Sequence, residues 1–237
     1  MTPNLSLPAA IIFDMDGVLV DSSPFHLRKW MNTLRAHGIA FQEEELRRIV
    51  LGPANDVIFR RFLGNDLTRE QLVELSEELD ANFRREIGPH PPAIPGVRRF
   101  IEECQAQGIA MAVASAAIAS NVKFLLAALE LRDYFRVVLA VDSTARPKPH
   151  PDIYLMTADK LGIIPAACVV FEDSFVGIEA ARSAGMKCIA IASTFSAEEL
   201  RREAHADLIV PNFEGVSLAT VRDLFPCEKM DIPQSHV

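Results

Sequence analysis

Two carboxylates one residue apart, Asp14 and Asp16, follow directly on the apolar run Ala9 to Phe13 and precede Gly17. Alternation along an extended chain sends both to the same side, and Gly17 frees the backbone to turn at once. Such a pair can hold a divalent cation, or divide the work between a nucleophile and a proton shuttle, since one carboxylate cannot easily do both. Three further polar points follow apolar runs: Ser115 after Ile109 to Ala114, Lys148 in the stretch Arg146 to Asp152, and Glu172-Asp173 after Cys168 to Phe171. Each has an ordinary alternative. Asp, Gly and Ser are common in turns, Glu172 could cap the helix that follows it, and Lys148 could be a surface lysine, although two prolines fix its loop.

The run Ala9 to Phe13 is short and unbroken enough to be a strand buried on both faces. Beyond about residue 93, helical patterns ended by Gly108, Gly162 and Gly185 alternate with apolar runs at 109–114, 135–141, 168–171, 187–192 and 207–210, and a last helix is expected near 216–225. That alternation predicts an α/β fold with a doubly wound, parallel, Rossmann-like sheet, whose ligand sits beyond the carboxyl ends of the strands. Asp14, Asp16, Ser115, Glu172 and Asp173 all occupy such ends. Between them lies a different text. Pro24 opens a helix carrying Phe25, Trp30, Met31 and Leu34 on one face, Thr68 with Gln71 forms a capping box, and Leu72, Leu75, Leu79 and Phe83 follow at helical spacing. The exit, Gly88-Pro89-His90-Pro91-Pro92 and then Pro95-Gly96, is stiff and suits a hinge. The predicted division is an α/β core from 1–20 and 93–237, with an inserted helical domain of three or four helices at 21–92.

The 237 residues are 49% hydrophobic and carry a formal charge of -8 with a pI near 5.3. That acidity argues against nucleic-acid and anionic-membrane partners, which demand a basic footprint. It leaves room for a small phosphorylated molecule, because one metal ion and one lysine can outweigh it locally. No apolar run approaches the roughly 20 residues a membrane span requires, and Met1 to Pro8 lacks the pattern of a signal peptide. Cys104, Cys168, Cys188 and Cys227 form no C-x-x-C pair and are expected to be reduced, in a cytoplasmic protein. The tail from Asp231 to Val237 is expected to fray. The sequence sets no oligomeric state, a monomer being compatible with it.

The four segments together, Asp14-Met15-Asp16-Gly17-Val18-Leu19, Ser115, Lys148-Pro149-His150-Pro151-Asp152 and Glu172-Asp173-Ser174-Phe175-Val176-Gly177-Ile178, resemble the haloacid dehalogenase superfamily, in its branch similar to beta-phosphoglucomutase and phosphoglycolate phosphatase. The helical insert resembles that family's mobile cap. The resemblance implies that Asp14 attacks phosphorus to give an aspartyl phosphate and that Asp16 protonates the leaving oxygen and later deprotonates water. It implies that Ser115 and the backbone amide of Ala116 hold phosphoryl oxygens and that Lys148 balances charge. Asp14, Asp173, Glu172 and the carbonyl of Asp16 would form a magnesium shell, with His26, Asn55 and Asn121 on the substrate side. The electrostatics agree with a cation. Two like charges about 4 Å apart repel by roughly 4 kcal/mol at an effective dielectric of about 20, and magnesium suits an all-oxygen site open to phosphate and water.

Departures from the family pattern narrow the reaction. The mutase has a cap arginine for a second phosphate where the loop Gly52 to Asn55 offers Asn55, and a polar residue where Ala117 stands. Losing a bidentate guanidinium weakens the grip on a distal phosphate. Asp16 with Asp173 separates the chain from the metal-free dehalogenases. The expected activity is magnesium-dependent hydrolysis of a small phosphorylated metabolite, a sugar phosphate or similar monoester. A hexose phosphate mutase is the enzymatic alternative, and a phospho-accepting signalling module is the alternative of another class. His26 stands open between a proton carrier and a hydrogen-bonding group of the cap. The insert, hung on two connectors, is expected to swing over the acids.

Overall fold

The first strand, β1 (Ala10–Phe13), is buried along its whole length because alternate residues feed two separate apolar cores. Ile11 and Phe13 join one cluster, with Val97, Phe100 and Ile101 of α5 (Val97–Ala106) and Val122, Leu125 and Leu126 of α6 (Ala119–Ala128). Ala10 and Ile12 join the other, with Ile153 and Tyr154 of α7 (Asp152–Leu161) and Ile178 and Ala181 of α8 (Phe175–Ser183). The computed structural model describes residues 8–225, so the expectations for Met1 to Leu7, Cys227 and the tail from Asp231 to Val237 lie outside the described residues.

Five more parallel strands flank β1: β2 (Ala110–Ala114), β3 (Val137–Leu139), β4 (Cys168–Glu172), β5 (Lys187–Ile191) and β6 (Leu208–Val210), in the order β3-β2-β1-β4-β5-β6. Strand β1 pairs with β2 on one side and β4 on the other, with Phe13 beside both Val113 and Phe171. The winding therefore reverses at β1, and its carboxyl end opens on the crevice where ligands of such sheets bind. Beneath that end Phe13 and Phe171 stack at 5.4 Å, with Phe100 and Phe213 packed edge-on or tilted against them. Each buried phenyl contributes roughly 1.5–3 kcal/mol, so the strand ends rest on a rigid apolar floor. The sheet, its direction and its helices on both faces are those the alternation predicts. Two elements are clearly shorter than expected. Strand β3 spans only Val137–Leu139 rather than 135–141, because Arg132–Tyr134 before it and Val141–Ser143 after it turn into 3₁₀ helices, and the last helix is α10 (Leu218–Arg222) rather than 216–225, capped by Ser217.

Four helices intervene between β1 and α5: α1 (Ser23–Ala36), α2 (Glu43–Val50), α3 (Asn55–Leu63) and α4 (Arg69–Ile87). The capping box opening α4 is present, with the Gln71 amide donating to Thr68 Oγ1 at 3.2 Å and the Thr68 amide to Gln71 Oε1 at 2.9 Å. The two connectors of this helical layer run side by side. The Asp21 amide donates to the Pro92 carbonyl at 2.7 Å, the Ile94 amide donates to the Leu19 carbonyl at 3.1 Å, and Val20 bridges Ala93.

Arginines on two flanks also bind the layer to the sheet and its helices. Arg47 of α2 donates to the Thr194 carbonyl and to Glu199 of α9 (Ala197–Glu203), each at 2.7 Å, while Arg48 grips Glu203 with two bonds of 2.9 and 3.0 Å. On the opposite flank Arg84 of α4 donates to Asn121 Oδ1 at 2.6 Å and Ser120 Oγ at 3.1 Å. The capping box at Ser196 and Arg47 hold Glu199 down to about 2, and Arg48 and Arg202 hold Glu203 down to about 2, so both stay charged throughout the neutral range.

Candidate active site

The carboxyl ends of β1, β2 and β4 bring their polar residues together. Gly17, at φ +74°, lets the chain fold back, with its amide donating to the Val20 carbonyl at 2.8 Å. A side chain there would collide with Asp173 Oδ2, so the glycine also sets how closely the β1 turn approaches Asp173.

Asp14, Glu172 and Asp173 each offer a carboxylate oxygen within 4.8 Å of the others, all buried. Lys148 reaches in from its proline-bounded loop and donates to Asp14 Oδ1 at 2.8 Å and to Glu172 Oε1 at 2.6 Å. Burial and the Glu172 charge push the Asp14 carboxyl up to about 7 against the pull of Lys148. Burial, with Glu172 and Asp14 as like charges, pushes Asp173 well above the carboxylate range. Burial would raise Glu172 too, but Lys148 outweighs it and holds that carboxyl low. One lysine thus faces three buried carboxylates, and the two that it does not hold ionised are unsettled by burial. An all-oxygen, acidic, buried set of this kind fits a hard divalent cation.

Glu172 differs from the other two. Its Oε1 accepts from Lys148 and from Tyr154 at 2.7 Å, and its Oε2 accepts from the amides of Asp173 and Ser174 and from Ser174 Oγ at 3.0–3.2 Å. Both oxygens are engaged by protein donors, so it holds Lys148 and the turn into α8. The N-cap of that helix is Ser174, which accepts from the Gly177 amide.

A cavity of 60 Å³ lies between this cluster and the helical layer, lined by Asp14, Asp16, Asp173, Ala116 and Asn121 from the sheet side and by His26 and Asn55 among others from the layer. Asp16 Oδ1 accepts from Ser22 Oγ at 2.6 Å and contacts His26 Nε2 at 2.8 Å. Burial would raise this carboxyl, but the imidazole and the hydroxyl, with Lys29 behind them, hold it below its ordinary value. His26 stacks on Phe83 at 4.3 Å, which fixes its ring plane. Ser115 is fully buried just beneath the cavity, its Oγ accepting from the Ala117 amide at 3.0 Å. Lys148 and Glu172 stand behind Asp14. Every predicted site residue is therefore in or directly behind this cavity, and Asp16's carboxylate is the one acid outside the three-carboxylate cluster.

Five further participants are not marked by the motifs. Thr194 donates to Asp173 Oδ2 and contacts Ser23 Oγ, Tyr154 donates to Glu172, Arg84 holds Asn121, and Lys29 pairs with Asp80 inside the helical layer. Thr194 follows the carboxyl end of β5, so the rule that found Ser115 applied to it as well. The others meet their partners across the fold and leave no local signal.

Comparison with known proteins agrees with this geometry. The model of the haloacid dehalogenase-like hydrolase family matches residues 11–191. The phosphorylated carbohydrates phosphatase of Thermotoga maritima is 32% identical over 188 residues, covering 76% of this chain and 83% of its own. Hexitol phosphatase B of Escherichia coli is 32% identical over 186 residues, covering 77% and 82%. Among solved structures, CbbY from Rhodobacter sphaeroides, determined with phosphate, has a TM-score of 0.78 at 29% identity and covers 91% of this chain and 99% of its own. With the acids, the lysine and the switch-point cavity already assembled by the fold, these matches mean that the chain belongs to the haloacid dehalogenase-like hydrolases, in the branch of phosphatases and beta-phosphoglucomutase-like proteins.

Proposed function

We propose that this protein is a magnesium-dependent phosphatase that hydrolyses a small phosphorylated metabolite, a sugar phosphate or similar monoester, through a phosphoryl group carried on Asp14. The observation that supports this most is the placing of Asp14: one oxygen is held by Lys148 and the residue lines the cavity beside Asp173. In the first step a carboxylate oxygen of Asp14 bonds to phosphorus as the ester P–O bond breaks, and the Asp16–His26 pair supplies the proton that the leaving alkoxide needs. In the second step Asp16 takes a proton from water, whose oxygen bonds to phosphorus as the bond to Asp14 breaks, releasing phosphate. Ser115 and the amide beyond it, at Ala116, hold phosphoryl oxygens, and Lys148 keeps Asp14 oriented and its charge balanced. Asp14, Asp173 and the carbonyl of Asp16 would hold magnesium, with Glu172 as a positioning residue behind them. The cation supplies charge neutralisation that lets a phosphate dianion approach the acids.

A second groove of 340 Å³ runs on from the cavity, sharing Asn55 and Ala116 with it. Asp56, Glu77 and Asp142 on its walls outnumber Arg69. A second phosphate would meet net negative charge there, which favours hydrolysis of monophosphates over the mutase reaction. We take 21–92 as a cap domain on a core of 1–20 and 93–237, swinging on the paired connectors at Val20 and Ala93. The free cysteines Cys104, Cys168 and Cys188, all buried, support a reducing cytoplasmic setting.

The test is phosphate release from a panel of phosphorylated sugars and polyols, with magnesium and with chelator. Turnover should fall at least about 100-fold on chelation and return on adding magnesium. Turnover indifferent to the chelator would overturn the assignment of the cation, and conversion of a sugar 1-phosphate to its isomer without phosphate release would favour the mutase.

A further inference from the structure

The helical layer carries an ion pair that the chemistry at Asp14 does not use. Lys29, on α1, donates from Nζ to Asp80 Oδ1 at 2.6 Å, and Asn55, at the start of α3, donates from Nδ2 to Asp80 Oδ2 at 2.8 Å. The Lys29 and Asp80 side chains are 3% and 1% exposed. All three residues line the cavity that also holds Asp14, Asp16 and Asp173.

Taking two charges out of water costs several kcal/mol per ion before their attraction offsets it, and well-packed apolar residues often serve stability as well or better. The surroundings are apolar: the Phe83 ring lies 5.2 Å from Lys29 Nζ, and Trp30, Phe59 and Leu79 form part of the buried cluster of this layer. A pair kept on the wall of the active cavity thus has a use beyond folding. Its chemistry says which use. Asp80 takes one of the three N–H bonds of Lys29, and each Asp80 oxygen retains a second lone pair. The two charges cancel, so a further anion gains nothing from Lys29 that Asp80 does not oppose, and a cation meets the reverse. Groups that both donate and accept, the hydroxyls of a polyol chain, match the set on every side.

We propose that Lys29, Asp80 and Asn55 form the subsite that reads hydroxyl groups on the carbon chain of the substrate. This rests on the phosphatase reading above and adds to it the residues that select a hydroxylated alcohol over an apolar one of equal length. Donors and acceptors left unpaired by the wrong ligand exact a large penalty, whereas a missing methylene changes little.

The experiment compares kcat/KM for a hexitol 1-phosphate and for n-hexyl phosphate, which present the same primary phosphoester. The wild type should favour the hexitol ester by at least about 100-fold. In Lys29→Met, in Asp80→Leu and in the double variant, whose apolar pair removes every donor and acceptor of the two side chains, that ratio should drop by about tenfold or more, chiefly through KM for the hexitol ester. Thermal melts of the double variant separate a folding defect from a change in selection. A ratio near one in the wild type, or variants that lose activity on both esters in equal proportion, would overturn the proposal. Absence of phosphate release from these two esters and from every member of the panel above would instead overturn the phosphatase reading and this inference with it.

Discussion

Asp14→Asn should lower turnover at least about 10⁴-fold, as expected for removal of a nucleophile, while leaving the fold intact. The amide carbonyl can still accept from Lys148, now 2.8 Å from Asp14 Oδ1, and Glu172 keeps the lysine paired. Stability should move the other way from activity. In the chelated protein burial lifts the Asp14 carboxyl to about 7 from the 3.8 of an unfolded chain. The folded state therefore binds more protons than the unfolded one between those values, so the wild type loses stability as pH rises through that window. The neutral amide escapes this loss. Thermal melts in chelator at pH 8 should place Asp14→Asn at or above the wild type, and a variant that kept near-normal turnover would remove Asp14 from the reaction.

The second large effect comes from a residue that touches no substrate. Gly177 lies inside α8, where propensity alone would make Gly→Ala stabilising by about 1 kcal/mol. Its missing Cβ faces Glu172, however, and an added methyl would collide with the carboxylate. Glu172 is fully buried and bonded to Lys148, Tyr154 and two backbone amides, so it has nowhere to go without breaking them. Unpairing a buried charge costs about 3–5 kcal/mol, which outweighs the propensity gain. Gly177→Ala should unfold at lower urea and lose activity as Lys148 shifts. Gly215→Ala, with nothing within 4 Å of the added Cβ, is the control and should stay within about 0.5 kcal/mol of the wild type. Equal stability for both variants would contradict the packing described around Glu172.

Much of this was legible in the chain because parallel sheets gather strand ends. Asp14, Asp16, Ser115, Glu172 and Asp173 declare themselves by following apolar runs, and one topology rule brings them together. Lys148 was marked by its prolines, and Thr68 with Gln71 wrote the start of α4 in four residues. Other features had no local trace. Periodicity puts Trp30 and Leu34 on the inner face of α1 but says nothing of Lys29 beside them, whose burial depends on Asp80 arriving from α4. Glu172 read as a metal ligand or a helix cap because its type and position suit both, and only the contacts show its two oxygens shared among Lys148, Tyr154 and the turn. Apolarity alone cannot end strand β3, because Val141 is as apolar as Leu139, and the 3₁₀ turn that ends it is set by how the chain crosses to α7.

The central claim, a phosphoryl group carried on Asp14, is tested most directly by trapping it. Asp16→Asn should be phosphorylated by acetyl phosphate with magnesium, because an acetate leaving group needs no proton, and then stall, because the carboxylate that takes the proton from water is gone. Intact mass should rise by one phosphoryl group, and peptide mapping should place it on the segment containing Asp14. Phosphate release by the wild type together with an unmodified Asp14 in the stalled variant, or with the phosphoryl group on another side chain, would contradict the account.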